Sequence, residues 1–378
     1  MSTVTWSFPT RIVFGEGAAT EIGKLAKSLG GGGPALIVTD PGVIKSGAVD
    51  VVRDSLDAAG VKHSTFDGVH GNPHEQDVHD GLAAYQAGKS ALVIAVGGGS
   101  PLDVAKLVRL LVTHEPPLAQ YDDAIGGDAK IVHAVPPMIA VPTTAGTGSE
   151  VGRSGVVTVK ATGRKTVIFS PKLMADVAVL DPKLTVGMPA RTTAATGFDA
   201  LTHCIEAYLS LGDHPMADAI ALHGVELCVK YRARAVKQPD DLEARGGMMK
   251  AAAMGAVAFQ KGLGACHSLA HPLSSEKGMH HGLANALCLP AIVAWNAEVV
   301  PERVARIAQL FGVDKGKLPE AIAKLRAELG LPAGLGAEGV TEGDLDKLAD
   351  LAIEDACHRC NPRPATRDDL RRLYHQSI

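Results

Sequence analysis

Hydrophobic and polar positions follow two different rhythms along this chain. In the first half, short apolar runs recur at 35–39 (ALIVT), 91–96 and 138–141, and a further short strand is expected around 61–66. Segments 47–59 and 75–87, between these runs, carry apolar residues at helical spacing. Uninterrupted apolar strands alternating with helices of this length predict a parallel sheet covered by helices on both faces. From 151 to 181 the pattern turns β-rich. Runs 156–159 and 166–169 are split by Ala161-Thr162-Gly163 as a hairpin, and 178–181 reads as one further strand. After Met188 an Ala-, Leu- and Met-rich periodicity of 3.6 dominates to the end. The expected organisation is an α/β domain over 1–188 and an all-α domain over 189–378.

Length and composition fit this division. A chain of 378 residues is long enough for two separate cores. Its 46% hydrophobic and 21% charged content is that of a globular protein. The formal net charge is −4, and no Lys/Arg run forms a phosphate-tracking stripe, which argues against nucleic-acid and membrane-surface partners. The first residues lack the basic-then-apolar order of a secretory leader, and no apolar run is long enough to span a bilayer. Six cysteines scattered through a chain of this size make no disulfide framework and suit a reducing compartment, so a cytoplasmic location is expected.

Two glycine-rich stretches follow apolar runs. Gly97-Gly98-Gly99-Ser100-Pro101 reads as a strand end and then a helix start, with Ser100 as N-cap and Pro101 in the first turn. Glycines there admit a ligand close to the backbone, and the free N–H groups of a helix start suit a pyrophosphate. The stretch departs from the usual dinucleotide fingerprint, because Leu102 stands where a third glycine is expected. Pro142-Thr143-Thr144-Ala145-Gly146-Thr147-Gly148-Ser149-Glu150 is a second glycine/hydroxyl loop after an apolar run. In open parallel sheets ligands lie at the carboxyl ends of strands, where both loops would sit. Asp40, ending the first run, is placed either to bond ribose hydroxyls, favouring NAD over NADP, or to cap the Pro-Gly turn after it.

The second half holds the candidate chemistry. Asp199 and His203 are i and i+4 on a helical segment, and His267 and His271 repeat that spacing. His280 and His281 follow in a loop opened by Gly278 and closed by Gly282. A carboxylate and several imidazoles in two clusters fit a divalent transition metal, with iron and zinc both accepting that set. Cys357 and Cys360 form a C-x-x-C without a matching second pair and read as structural.

With GGGSPLDVAK, PTTAGTGSE, GFDALTHCIEAY, GACHSLAHPL and HHGLANALCLP, the chain resembles the iron-containing (group III) alcohol dehydrogenases, from FPTRIVFGEGA to CHRCNPRP. The resemblance implies an N-terminal dinucleotide-binding domain, an all-helical C-terminal domain and an active site in the cleft between. It implies metal ligation by Asp199, His203, His267 and His281, the last because it directly precedes Gly282-Leu283-Ala284-Asn285, with His271 beside the nicotinamide. It places Asp40, Asn72, Gly97, Gly98, Gly99, Ser100, Asp103, Thr143, Thr144, Thr147 and Lys165 at the cofactor. It further implies NAD, Fe²⁺ or in some members Zn²⁺, and a homodimer or larger assembly. The activity implied is hydride transfer between a small primary alcohol and NAD⁺, with His271 relaying the proton.

Two cations depart from the pattern of simple alcohol dehydrogenases: Arg153, after the second glycine loop, and Lys261, before the histidine segment. They are candidate anchors for an anionic tail, as in 4-hydroxybutyrate and succinic semialdehyde. The alternatives are a general short-chain alcohol or diol dehydrogenase of the lactaldehyde reductase type, and a metal-dependent lyase like dehydroquinate synthases. The Asp-plus-histidine set argues against the lyase.

Overall fold

The computed structural model describes residues 8, 10–161 and 163–378, so Thr162 of the expected hairpin turn, Pro9 and residues 1–7 lie outside the described residues. The chain divides into two compact units, one of Phe8–Thr144 with Gly148–Gly187 and the other of Met188–Ile378 with Ala145–Thr147.

The first unit is built on a six-stranded, all-parallel sheet. Its strands are β1 (Arg11–Phe14), β2 (Ala35–Val38), β3 (His63–Phe66), β4 (Leu92–Gly97), β5 (Met138–Pro142) and, after a hairpin, β8 (Val177–Leu180), in the order β1-β8-β5-β4-β2-β3. The helices of this unit are α1 (Ile22–Leu29), α2 (Pro41–Lys45), α3 (Ala48–Ala58), α4 (Glu75–Ala87) and α5 (Gly99–Thr113). The central strands are buried on both faces because successive side chains point to opposite sides of the sheet. Leu36, Val38, Val93, Ala95, Met138 and Ala140 enter one core, while Ala35, Ile37, Leu92, Ile94, Val96 and Ile139 enter the other. The hairpin pairs β6 (Ser154–Thr158) antiparallel with β7 (Lys165–Phe169). β1 is not legible in the sequence as a strand. It is a four-residue edge element with mostly exposed side chains, fixed by its pairing with β8 more than 160 residues later.

The second unit is helical among its described residues. Its helices are α6 (Ala190–Leu209), α7 (Pro215–Lys237), α8 (Leu242–Ala258), α9 (Ala265–Lys277), α10 (His281–Asn296), α11 (Pro301–Leu310), α12 (Leu318–Glu328), α13 (Leu345–Glu354) and α14 (Arg367–His375). α6 is buried on every side from Thr193 to Leu209, packed against α7, α8 and α10. A helix buried all round has no polar face to give to solvent, so its polar residues must find partners inside. Those polar residues are Thr193, Thr196, Asp199, Thr202, His203 and Glu206.

Candidate active site

The strand–helix turn after β4 begins two residues earlier than its sequence pattern indicates. Gly97 has φ 151°, a conformation that side chains rarely adopt, and turns the chain at once. Gly98, not Ser100, is therefore the N-cap of α5, and Ser100 instead donates through Oγ to the carbonyl of Gly71 at 2.9 Å. That bond ties the turn to the loop carrying the exposed Asn72. Gly97 aligns with Pro142 across β4 and β5, and Thr143 N–H donates to Gly97 O at 2.9 Å, so the two loops start side by side. A Cβ on Gly98 would stand 3.3 Å from the Thr144 methyl group. Thr147 falls with the short segment that groups with the helical unit, where Gly146 lies against Thr196 too closely for a side chain.

Asp40 caps α2, its Oδ1 accepting from Gly42 N–H at 2.8 Å and Val43 N–H at 2.9 Å. Both bonds fall on one oxygen. Asp103 points inward, taking the Ser149 hydroxyl at 2.6 Å and the Val156 N–H at 3.3 Å, and so fastens the second glycine loop onto α5. Lys165 is exposed on β7.

Beneath this loop, Lys106 is fully buried and donates to Ser149 Oγ at 2.7 Å. Burial pushes the nearby Glu150 carboxyl up to about 7, only partly offset by its own backbone N–H and by Lys106. An unfolded-chain Glu titrates near about 4.3, so the native state holds an extra proton between that pH and 7. Native stability is therefore expected to fall as pH rises through this window. Calorimetric Tm against pH should show this slope in the parent protein and a flatter one in Glu150→Gln. An unchanged slope would refute it.

In the helical unit, Asp199, His203 and His267 bring ligand atoms within 4.8 Å of one another, all three buried. Asp199 and His203 share a face of α6, with Nε2 of His203 at 3.8 Å from Asp199 Oδ1. His267 comes from the first turn of α9, its ring stacked on His203 at 4.7 Å. His281 opens α10, and its Nε2 lies 3.5 Å from Asp199 Oδ1. Gly282 permits that approach, since a Cβ there would meet Ala195 O at 2.3 Å, within the backbone of α6. His280, its neighbour, is exposed. His271 stacks on His281 at 5.2 Å and is about one-third exposed.

Three further residues organise the cluster, none of them given a role by the sequence pattern. Glu206 lies one turn beyond His203 and caps the start of α9, accepting from Cys266 N–H at 2.6 Å and His267 N–H at 3.3 Å. It also takes His267 Nδ1 at 2.5 Å, which turns the other ring nitrogen toward Asp199. Asn285 donates to Asp199 at 2.9 Å, and its Oδ1 has no hydrogen-bond partner among the described residues. Asp355 holds His271 through Nδ1 at 2.7 Å. The Asp–His spacing exposed by helical periodicity could reveal Glu206, but nothing local marks Asp355, 84 residues from its partner.

The electrostatics suit a cation. Burial raises the Asp199 carboxyl, but His203, His281 and His267 with the Asn285 amide outweigh it and hold it down at about 2. Burial pulls His203 down to about 4 against the pull of Asp199, keeping its lone pair free of a proton. Burial also acts downward on His267, but the Glu206 contact outweighs it and raises this ring. One ionised carboxylate, a neutral imidazole and a histidine oriented by a carboxylate form a donor set that fits divalent iron.

The structure corrects one of the two cationic anchors. Lys261 is 7% exposed, and its ammonium donates to Tyr208 O at 3.0 Å and to Asp218 at 2.6 Å. Its charge is used inside the helical unit, where leaving it unpaired would be costly. Arg153 is half-buried, with its pKa lowered by burial.

Comparison with known proteins gives two family models in tandem, "Iron-containing alcohol dehydrogenase" over residues 9–182 and "Fe-containing alcohol dehydrogenase family, C-terminal" over 193–378. The chain belongs to the iron-containing alcohol dehydrogenase family. It is 42% identical over 353 residues to a 4-hydroxybutyrate dehydrogenase of Cupriavidus necator, covering 91% of this chain and 92% of that one. A crystal structure of a 1,3-propanediol oxidoreductase superposes with a TM-score of 0.96 at 37% identity, covering 100% of both chains. The sulfoacetaldehyde reductase of Bifidobacterium kashiwanohense in complex with NAD⁺ gives 0.89 at 31% identity, covering 100% of this chain and 99% of that one. The protein is thus an iron- and NAD-dependent oxidoreductase of the alcohol dehydrogenase class, acting between an alcohol and its aldehyde. No helix among the described residues is long and apolar enough to cross a membrane.

Proposed function

We propose that this dehydrogenase interconverts 4-hydroxybutyrate, or a close ω-hydroxy acid, and its semialdehyde. The observation that carries the site assignment is the convergence of Asp199, His203 and His267, with His281 against the same carboxylate. These four residues would hold the iron. When bound, the iron supplies Lewis acidity toward the substrate oxygen and NAD⁺ accepts the hydride. His271, held through Nδ1 by Asp355, keeps Nε2 available to accept the hydroxyl proton and to return it in the reverse direction.

In the sheet unit, Gly97, Gly98, Gly99 and Ser100 would receive the pyrophosphate at the start of α5. Asp40 would accept from the ribose through Oδ2, with Asn72, Thr143, Thr144, Thr147 and Lys165 completing the cofactor contacts. Asp103 would act indirectly, by fastening the loop. The enzyme would work in the cytoplasm as a homodimer or larger assembly.

Arg153 is the anchor proposed for the carboxylate tail. Support comes from the name of the Cupriavidus relative, whose substrate ends in a carboxylate. A charge-assisted bond of about 1.5–3 kcal/mol corresponds to roughly 10–100-fold in rate. Arg153→Leu is therefore expected to lower kcat/KM for 4-hydroxybutyrate by about that factor while leaving butan-1-ol nearly unchanged. The measurement is a steady-state comparison of the two alcohols. Parity between them in the parent enzyme would favour the second reading, a neutral diol or short-chain alcohol substrate, to which the commitment of Lys261 to Asp218 lends support.

A further inference from the structure

Beside the Asp199 group lies a second cluster of ligand-type side chains. His271 of α9, with Asp355 and Cys357 just beyond α13, brings an imidazole nitrogen, a carboxylate oxygen and a thiol within 4.8 Å of one another. The arrangement is held from outside itself. Asp355 Oδ1 accepts the Ser268 hydroxyl at 2.7 Å and the Cys357 N–H at 2.8 Å, and Ser268 Oγ in turn accepts the His358 N–H at 2.8 Å. Asp355 Oδ2 is left facing His271 Nδ1. All three side chains are half-buried, so an ion from solvent can reach them.

We propose that His271, Asp355 and Cys357 form a second metal site, selective for zinc-class divalent ions, whose occupation inhibits the enzyme. Mixed nitrogen, oxygen and sulfur donors with one position left for water make a zinc-like tetrahedral set. The Asp199 cluster offers no sulfur, so the softer ion is drawn to the thiol while iron keeps the carboxylate–imidazole set. Binding releases the thiol proton as the S–metal bond forms, while the Nδ1 proton of His271 passes to Nε2 as the metal takes the Nδ1 and Asp355 lone pairs, so that Nε2 can no longer accept a proton. No electron is transferred. Inhibition follows because the ion occupies the histidine assigned above to proton relay. That consequence rests on the proposed function, whereas the existence of the site does not.

The test uses iron-loaded enzyme and Co²⁺ as a probe. A thiolate-to-cobalt charge-transfer band should appear with one equivalent bound beyond the iron, and it should vanish in Cys357→Ser. Cys357→Ala, checked by circular dichroism, serves if the serine variant folds poorly. A band absent from the parent, or persisting in both variants, overturns the site. Zinc titrated into the assay should inhibit the parent, and the concentration for half-inhibition should rise at least about tenfold in Cys357→Ser, with basal kcat unchanged. Equal zinc sensitivity in parent and variant would place the inhibiting ion elsewhere, in the Asp199 cluster, and overturn the proposal. A cobalt–thiolate band without zinc inhibition would overturn the inhibitory role and count against His271 as the relay, while leaving the metal site standing.

Discussion

Asp199→Ala is expected to abolish iron retention and to lower kcat by about three orders of magnitude. Asp199 is the only carboxylate in the buried triad, and the surrounding histidines keep it ionised. Lewis-acid stabilisation amounts to several kcal/mol, and each 1.36 kcal/mol is tenfold in rate. Asp199→Asn should behave similarly for metal while disturbing packing less, which separates lost charge from lost shape. Metal analysis of dialysed protein and steady-state kinetics are the measurements. A variant that kept full iron and parental kcat would remove Asp199 from the ligand set.

Changes at Glu206 should have the next largest effect and a different signature. This carboxylate caps α9 and orients His267. Glu206→Ala strips both functions, leaving buried N–H groups without an acceptor, at a cost of about 1–3 kcal/mol in unfolding free energy. Glu206→Gln keeps an oxygen for the cap but loses the charge that sets the ring. It should retain most of the stability while weakening iron binding by about 10–100-fold. Denaturant unfolding and competitive chelation read the two quantities separately. Equal losses of both in the Gln variant would mean that Glu206 serves the fold alone.

Much of the fold could be read from local pattern, because the features that specify it are local. β2, β4 and β5 are apolar runs buried on both faces, and α4 spans the residues that its periodicity marks. β1 escaped because its partner β8 lies far along the chain. The start of α5 was misplaced because a serine followed by proline is a strong capping signal, and it lost to a backbone turn that Gly97 alone makes possible. The shared face of Asp199 and His203 follows from helical spacing. The resemblance selects His281 over His280 through the adjoining Gly282-Leu283-Ala284-Asn285 element, and the physical reason, a helix crossing at Gly282, is one that no local pattern displays. Lys261 reads as a free cation until Asp218, 43 residues before it, is seen to hold it.

The double attachment of Glu206 bears on how the enzyme acquires its metal. The cap on α9 and the orientation of His267 are both made by protein groups alone. Neither bond uses the ring nitrogen of His267 that would face the ion, so removing the ion should break neither. Iron should enter a finished helical unit late, and chelation should empty it without unfolding it. Stripped enzyme should therefore regain activity when iron is returned, so that losses under chelators are expected to be reversible rather than fatal.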